Sequence, residues 1–308
     1  MLKIVEGSHF TIYRLISFLL SAAVMFSSTG CVGHAAALPE PQLNAPAATV
    51  PLQENPAESS VPDSAPEAEE PEEPYVRVID PAKPMLALTF DDGPHETYTG
   101  QILDILEANH AVATFFEIGC NVAKYPAAVV REAELGCEIG SHSNVHKNLS
   151  KLKANTLLED LAAADAAFTA AGVPAPTLVR PPYGEVNKTV RTTTGRSLIT
   201  WNIDTGDWRT KDAQTIISYV QSLENLNGAV VLMHSIYESS VQAAAALVPW
   251  LQEQGYQLVT VTELMAYYHG ELPQPNTLYG YTYFCKSRTD TPLTLPVSPA
   301  EEEAVPEA

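Results

Sequence analysis

The chain has 308 residues and a formal net charge of −20, enough length for one large domain or two small ones. Its few lysines and arginines form no basic block, which excludes a phosphate-binding face and with it nucleic acid as a partner. No GxxxxGK[ST] loop and no GxGxxG fingerprint occurs, so nucleotide chemistry has no foothold.

Taken in chain order, residues 1–37 read as an export segment. Lys3 and Arg14 precede the apolar stretch LISFLLSAAVMF (15–26), too short for a comfortable membrane span of about 20 residues. Two endings compete. SSTGC sets Cys31 behind small residues, as in a bacterial lipoprotein signal, although Ser28 stands where an aliphatic residue is usual. AAA (35–37) is a small-residue site for ordinary cleavage, and an uncleaved N-terminal anchor is the third option. Each version puts the rest of the chain outside the cytoplasm, with the membrane touched only through this segment.

Residues 38–84 carry ten acidic side chains against two basic ones and are rich in Pro, Ala and Glu. Such a composition cannot bury enough apolar surface to fold and predicts a self-repelling spacer. The domain boundary is set before the strand-like YVRVID (75–80), giving a disordered linker over 38–74 and a folded body over 75–269. Residues 270–308, acidic and ending in SRTDTPLTLPVSPAEEEAVPEA, are expected to be a largely disordered extension.

Inside the body, short apolar runs at 85–90, 112–118, 138–141, 177–180, 197–203, 229–234 and 257–261 alternate with helical stretches. Among the latter are QILDILEANH, AAVVREAELG, ANTLLEDLAAADAAFTAAG and DAQTIISYVQSLENL. Strands that each lead into a helix imply a parallel sheet covered on its outside. With no dinucleotide signature, a distorted barrel of seven or eight (β/α) units fits better than an open doubly wound sheet. Cys120 and Cys137 fall at opposite ends of neighbouring strands, too far apart to bridge, and no CxxC occurs. Free thiols are expected, with a bond to Cys285 as the other option.

In a barrel of this kind chemistry sits at the C-terminal strand ends, where the polar oddities of this sequence fall. The first strand ends in Asp91-Asp92, the third runs into His142 and His146, the fourth ends in RPPYG from Arg180, the fifth in DTGDW and the sixth at His234. Adjacent carboxylates repel unless something cationic sits beside them. Two imidazoles at i and i+4 share one side of a helical turn, and with a carboxylate they make a three-ligand metal site with room left for water. Singly, DD is a solvated turn, RPPYG a turn, DxxDW a loop and a strand-ending His a packed core residue. In this order, each at a strand end, they point to one site. His95 and His110 are read as surface residues.

On these residues, segment 85–268 resembles the polysaccharide deacetylases of the NodB-homology type, carbohydrate esterase family 4. The five ordered motifs are TFDDGP (89–94), HSNVH (142–146), RPPYG (180–184), DTGDW (204–208) and LMH (232–234). The resemblance implies a distorted (β/α) barrel that hydrolyses N-acetyl groups on a sugar polymer with one divalent metal, zinc or else cobalt. It implies Asp92, His142 and His146 as ligands and Asp91 as general base oriented by Arg180. It also implies Tyr183, on its backbone N–H, as oxyanion donor within the Pro182-Tyr183 turn, and His234 as general acid held by Asp207. Trp208 and Leu232 would line the pocket for the acetyl methyl or simply pack, and Asp204 would fix a loop. The expected partner is an N-acetylated polysaccharide, bound by a monomer. Surface anchoring favours peptidoglycan over xylan; the expected substrate is peptidoglycan N-acetylglucosamine, with chitooligosaccharides or acetylated xylan as the alternatives. The rival reading is a catalytically silent glycan-binding barrel, against which the intact base, ligands and acid argue.

Overall fold

The computed structural model describes residues 77–293 and 295. The expectations for the export segment, Cys31, the spacer over 38–74 and the end of the chain lie outside the described residues.

Nine short strands are present among the described residues: β1 (Met85–Asp91), β2 (Thr114–Glu117), β3 (Glu138–Ser141), β4 (Leu178–Val179), β5 (Ser197–Ile199), β6 (Ile203–Asp204), β7 (Val230–His234), β8 (Gln257–Leu258) and β9 (Leu278–Tyr279). All pairs are parallel, in the order β6-β7-β1-β2-β3-β4-β5-β9, with β8 added to the start of β1. The sheet curls, and the alternation of β1 shows how. Leu86, Leu88 and Phe90 pack outward with Ile102 and Leu103 of the helix Tyr98–Ala108 and with Leu247 and Leu251 of the helix Glu238–Glu253. Met85 and Ala87 point the other way, into a cluster with Phe116, Leu178, Ile199, Val230 and Tyr279. Residues from six strands can meet only on the concave side of a curled sheet. The fold is the distorted (β/α) barrel expected from sequence.

The helices form for ordinary reasons. Tyr98–Ala108 buries Thr99, Ile102, Leu103 and Leu106, the stripe that a 3.6-residue period presents to one side. Ala154–Ala171 does the same with Leu157, Leu161, Ala164 and Phe168, and stops where Gly172 adopts the left-handed conformation that ends helices.

Three expectations are corrected. The run 197–203, read as one strand followed by a helix, is two strands towards opposite ends of the sheet. β5 pairs with β4 and β9, whereas β6 pairs with β7. Between them Thr200 N–H donates to Tyr279 O (2.8 Å) and Asn202 N–H to Val230 O (3.2 Å). The segment changes partners midway and so closes the barrel, a switch that hydrophobic periodicity does not encode.

The second correction concerns the C-terminal extension, expected to be largely disordered from residue 270. Residues 278–279 form β9, and Tyr279, Tyr283 and Phe284 belong to the interior cluster. Arg288 reaches back to the carbonyls of Pro81 and Lys83. A stretch with few apolar residues is held here by a handful of aromatic anchors. Third, 77–80 of the strand-like YVRVID is not a strand. It docks through side chains instead, Arg77 on Glu263 and Asp80 on Gln257. Cys120, Cys137 and Cys285 are free, as the spacing implied.

Candidate active site and metal centre

Asp91 ends β1, a strand buried along its whole length, and Asp92 follows it directly. Asp91, 2% exposed, continues the inward alternation of β1. Its carboxylate meets the fully buried guanidinium of Arg180 at 2.7 Å, Nη1 donating to Oδ1. Arg180 also donates to Thr89 Oγ1 (2.7 Å), two residues back on the same face of β1, and lies 4.0 Å over the Phe116 ring. The ring and the two acceptors leave the guanidinium one orientation, and the guanidinium in turn fixes Asp91.

At Asp92 the backbone turns over with φ +72°, so its carboxylate leaves the interior and faces His142 and His146. Asp92 Oδ1 lies 3.4 Å from His142 Nε2 and 3.2 Å from His146 Nε2. The sequence reading placed these two imidazoles on a helical turn. That is corrected: 142–146 is a non-helical turn in which Ser143 and His146 both have positive φ (67° and 55°). The i, i+4 pair still converges, with ring centroids 5.0 Å apart, because the turn folds back on itself. Tyr183 (φ 65°) brings its ring edge to His146 at 4.8 Å. Of seven positive-φ non-glycine residues described, Asp92, Ser143, His146 and Tyr183 sit here. Strain concentrated in this way is characteristic of pre-organised sites.

These side chains fit a metal ion. One ligand atom from each of Asp92, His142 and His146 lies within 4.8 Å of the others. The Nδ1 of His142 is 2.6 Å from the carbonyl of Arg180, which can only accept. The proton is therefore on Nδ1, and the lone pair of Nε2 faces Asp92, the arrangement in which a second partner orients a ligating imidazole. Burial pushes His142 below the ordinary range and outweighs the pull of Asp91 and Asp92, which keeps it neutral as a ligand must be. Burial alone would raise Asp92, but the imidazoles of His146, His142 and His234 outweigh it and hold the carboxyl low.

On the other side of Asp91 stands His234, the last residue of β7. Its Nδ1 lies 2.8 Å from Asp207 Oδ1. The carboxylate of Asp207, fully buried, also accepts from His234 N (2.7 Å), Trp208 N (2.8 Å) and Ser240 Oγ (2.7 Å). Burial acts to lower the pKa of His234, yet the hydrogen bond and charge of Asp207, with Asp91 and Asp92 beyond, push it up to about 9. At neutral pH this imidazole carries a proton on both nitrogens.

The other residues singled out from sequence divide. Leu232 (3% exposed) is register partner of Thr89 and faces inward with it, Pro182 is buried, and Trp208 is half exposed at the mouth. Asp204 accepts from Gly206 N (2.9 Å) and shapes the loop before Asp207. His95 stacks on Tyr98 and accepts from Thr97 and Tyr98 N–H, capping the first helix. His110 is exposed, away from the strand ends. Two supporting residues escaped the sequence reading. Thr89 was legible as a polar residue in phase with Asp91 inside an apolar strand. Ser240 carries no local signal.

Beneath the Asp91-Asp92 turn lies a further pair. Glu117 at the end of β2 and Glu132 of the helix Pro126–Glu134 are fully buried, and none of their four carboxylate oxygens meets a hydrogen-bond donor among the described residues. Burial raises both well above the usual carboxylate range; for Glu117 the neighbouring Glu132 and the charges of Asp91 and Asp92 add to it, whereas for Glu132 the contact with Glu117 opposes it without cancelling it, so the pair holds a proton. Gly93 presses on this carboxyl. A Cβ there would stand 2.4 Å from Ser235 Oγ and 2.7 Å from Glu117 Oε2, so only glycine lets the turn lie this low.

Comparison with known proteins follows the same lines. The polysaccharide deacetylase family profile matches residues 79–197. The chain is 37% identical over 191 residues to the peptidoglycan-N-acetylmuramic acid deacetylase PdaC of Bacillus subtilis, covering 62% of this chain and 41% of that one. It is 36% identical over 193 residues to a peptidoglycan-N-acetylglucosamine deacetylase of Bacillus cereus, covering 60% of this chain and 90% of that one. The solved structure of a T48 deacetylase with substrate superposes with a TM-score of 0.61 at 40% identity, over 66% of this chain and all of that one. The chain spans 41% of the length of the first curated relatives it matches.

Proposed function

Because the chain belongs to the polysaccharide deacetylase family, we propose that it is a metal-dependent hydrolase that removes N-acetyl groups from an envelope glycan, with peptidoglycan N-acetylglucosamine the foremost substrate. One observation carries the reading. A carboxylate paired with Arg180 (Asp91) and an imidazole bonded to a buried carboxylate (His234) flank three convergent candidate ligands.

Amide hydrolysis needs an activated water, a donor for the developing oxyanion and an acid for the departing amine. Asp92, His142 and His146 would hold a divalent ion, zinc first and cobalt second. Such an ion lowers the pKa of a bound water and polarises a carbonyl. Asp91, aimed by Arg180, takes a proton from the attacking water. The N–H of Tyr183 donates to the oxyanion. His234 gives its Nε2 proton to the leaving nitrogen, and Asp207 steadies the imidazole through Nδ1–H. Acetate and a free amino sugar result. Leu232 and Trp208 border the space for the acetyl methyl.

The apolar N-terminal stretch and Cys31 support export and retention at the envelope, with residues 38–74 as a tether and a monomeric body. Among the described residues no helix is long and apolar enough to cross a membrane. Acetate release from purified peptidoglycan, chitooligosaccharides and acetylated xylan tests the proposal and ranks the substrates. Chelation should abolish release, and zinc or cobalt should restore it. Full activity of His142→Ala in metal-free buffer would refute it.

A further inference from the structure

The C-terminal extension forms more than the last strand of the barrel. Because every strand pair is parallel, β5 and β9 end at the same rim as β1, β3 and β7. At that rim a cleft of about 560 Å³ opens, within the usual size range of ligand clefts. Its walls include Gly184, Thr200, Glu271, Tyr279, Tyr281 and Lys286. Gly184 follows directly on Tyr183, whose ring touches His146. The Pro182–Gly184 turn is thus a shared wall between the cleft and the metal cluster.

Tyr281 is 67% exposed, although Tyr279 and Tyr283, two residues away on either side, are buried. Tyr283 meets Tyr279 edge-on at 4.7 Å and Phe284 at 5.1 Å, with His269 at 4.5 Å, while Lys286 Nζ lies 4.7 Å over the ring of Tyr283. Gly280 packs so closely that a Cβ would stand 2.4 Å from Thr200 Oγ1. Tyr281 opens the short helix Tyr281–Phe284, whose Tyr283 and Phe284 are buried, so its backbone is held at the rim while its ring faces outward.

We propose that this cleft is a carbohydrate subsite in which Tyr281 stacks on the C–H face of a pyranose lying further along the same glycan than the sugar being hydrolysed. A pyranose offers an apolar face edged by hydroxyls. The cleft offers an amphipathic ring edged by the carboxylate of Glu271, the ammonium of Lys286 and the hydroxyl of Thr200. The occupant is fixed by continuity: a polymer held at the metal cluster must leave across the rim, and the Tyr183 turn leads into this cleft. The assignment rests on the deacetylase reading for the sugar at the mouth and adds a dependence on chain length.

The test uses the full chain with the di- and hexasaccharides of N-acetylglucosamine. Tyr281→Ala should raise KM for the hexasaccharide about fivefold with kcat unchanged, leave the disaccharide untouched, and be rescued by Tyr281→Phe. Equal losses on both sugars, or no loss on either, would overturn the subsite while leaving the deacetylase reading intact. If the wild-type chain releases acetate from neither, acetate release from purified peptidoglycan decides the parent reading, and calorimetric titration with the hexasaccharide decides the subsite alone. Weaker binding by Tyr281→Ala supports it; equal or absent binding overturns it.

Discussion

Asp91 and His234 are register partners on adjacent parallel strands, β1 and β7. Neighbouring strands run about 4.8 Å apart and register partners project to the same face, so the two side chains are fixed side by side by backbone hydrogen bonds. Arg180 anchors one and Asp207 the other. In the proposed reaction, proton acceptor and proton donor thus stand on adjacent strand ends, with the proposed metal ligands on the turns beside them.

Asp91→Asn keeps the hydrogen bond from Arg180 and leaves Asp92, His142 and His146 in place. The variant should bind metal at wild-type stoichiometry and lose kcat by about a hundredfold or more. Metal content and acetate release measured on one preparation separate the roles. Loss of metal with full chemistry on reconstitution would make Asp91 a ligand.

The His234 pair predicts a pH limb. The imidazole is charged below about 9, so kcat/KM should be level across neutral pH and fall as pH rises through about 9. The sign for stability is the same: with the folded pKa raised above 6.5, the His234–Asp207 pair contributes fully below pH 6.5 and its contribution is lost as pH rises through about 9. Asp207→Asn should move the limb towards neutral pH. A limb unmoved in that variant would mean another group supplies the proton.

Glu117 and Glu132 give the next prediction. A carboxyl whose folded pKa is raised contributes stability fully present below its unfolded value of 4.5 and lost as pH rises through the folded value. Glu117→Gln keeps the shape, supplies donors to Glu132 and removes the charge. Its melting temperature should match wild type near pH 4.5 and exceed it by about 3 °C at pH 8, the size of roughly 1 kcal/mol in a domain this large. A variant less stable than wild type at pH 8 would show that the ionised pair is held by something else.

The folded body should tolerate a start at Tyr75 but not an end at Gly270. Removing the extension strips Tyr279, Tyr283 and Phe284 from the interior, at about 1.5–3 kcal/mol for each buried side chain. That is a large share of a typical stability of roughly 5–15 kcal/mol. The shortened chain should be insoluble or melt more than about 10 °C lower. Unchanged melting would make the extension a mere appendage.

The amino-acid sequence by itself determined the barrel class and most of the polar residues that the fold gathers at one rim. Parallel strands buried on both faces are continuous apolar runs, and carboxylates, imidazoles or an arginine ending such runs stand out against them. Asp91, Asp92, His142, His146, Arg180 and His234 were legible for that reason. Tertiary structure alone decided what depends on partners distant in the chain. The segment 197–203 reads as one strand, yet it divides between β5 and β6, which pair towards opposite ends of the sheet. His142 and His146 converge through a strained turn, since positive φ at Ser143 and His146 leaves no mark in composition. Ser240 reaches Asp207 from 33 residues away on another helix. The described part of the extension, residues 270–293, is held by three aromatic side chains. Average composition cannot register so few anchors, because the free energy of burial belongs to the cavity they fill rather than to the segment that carries them.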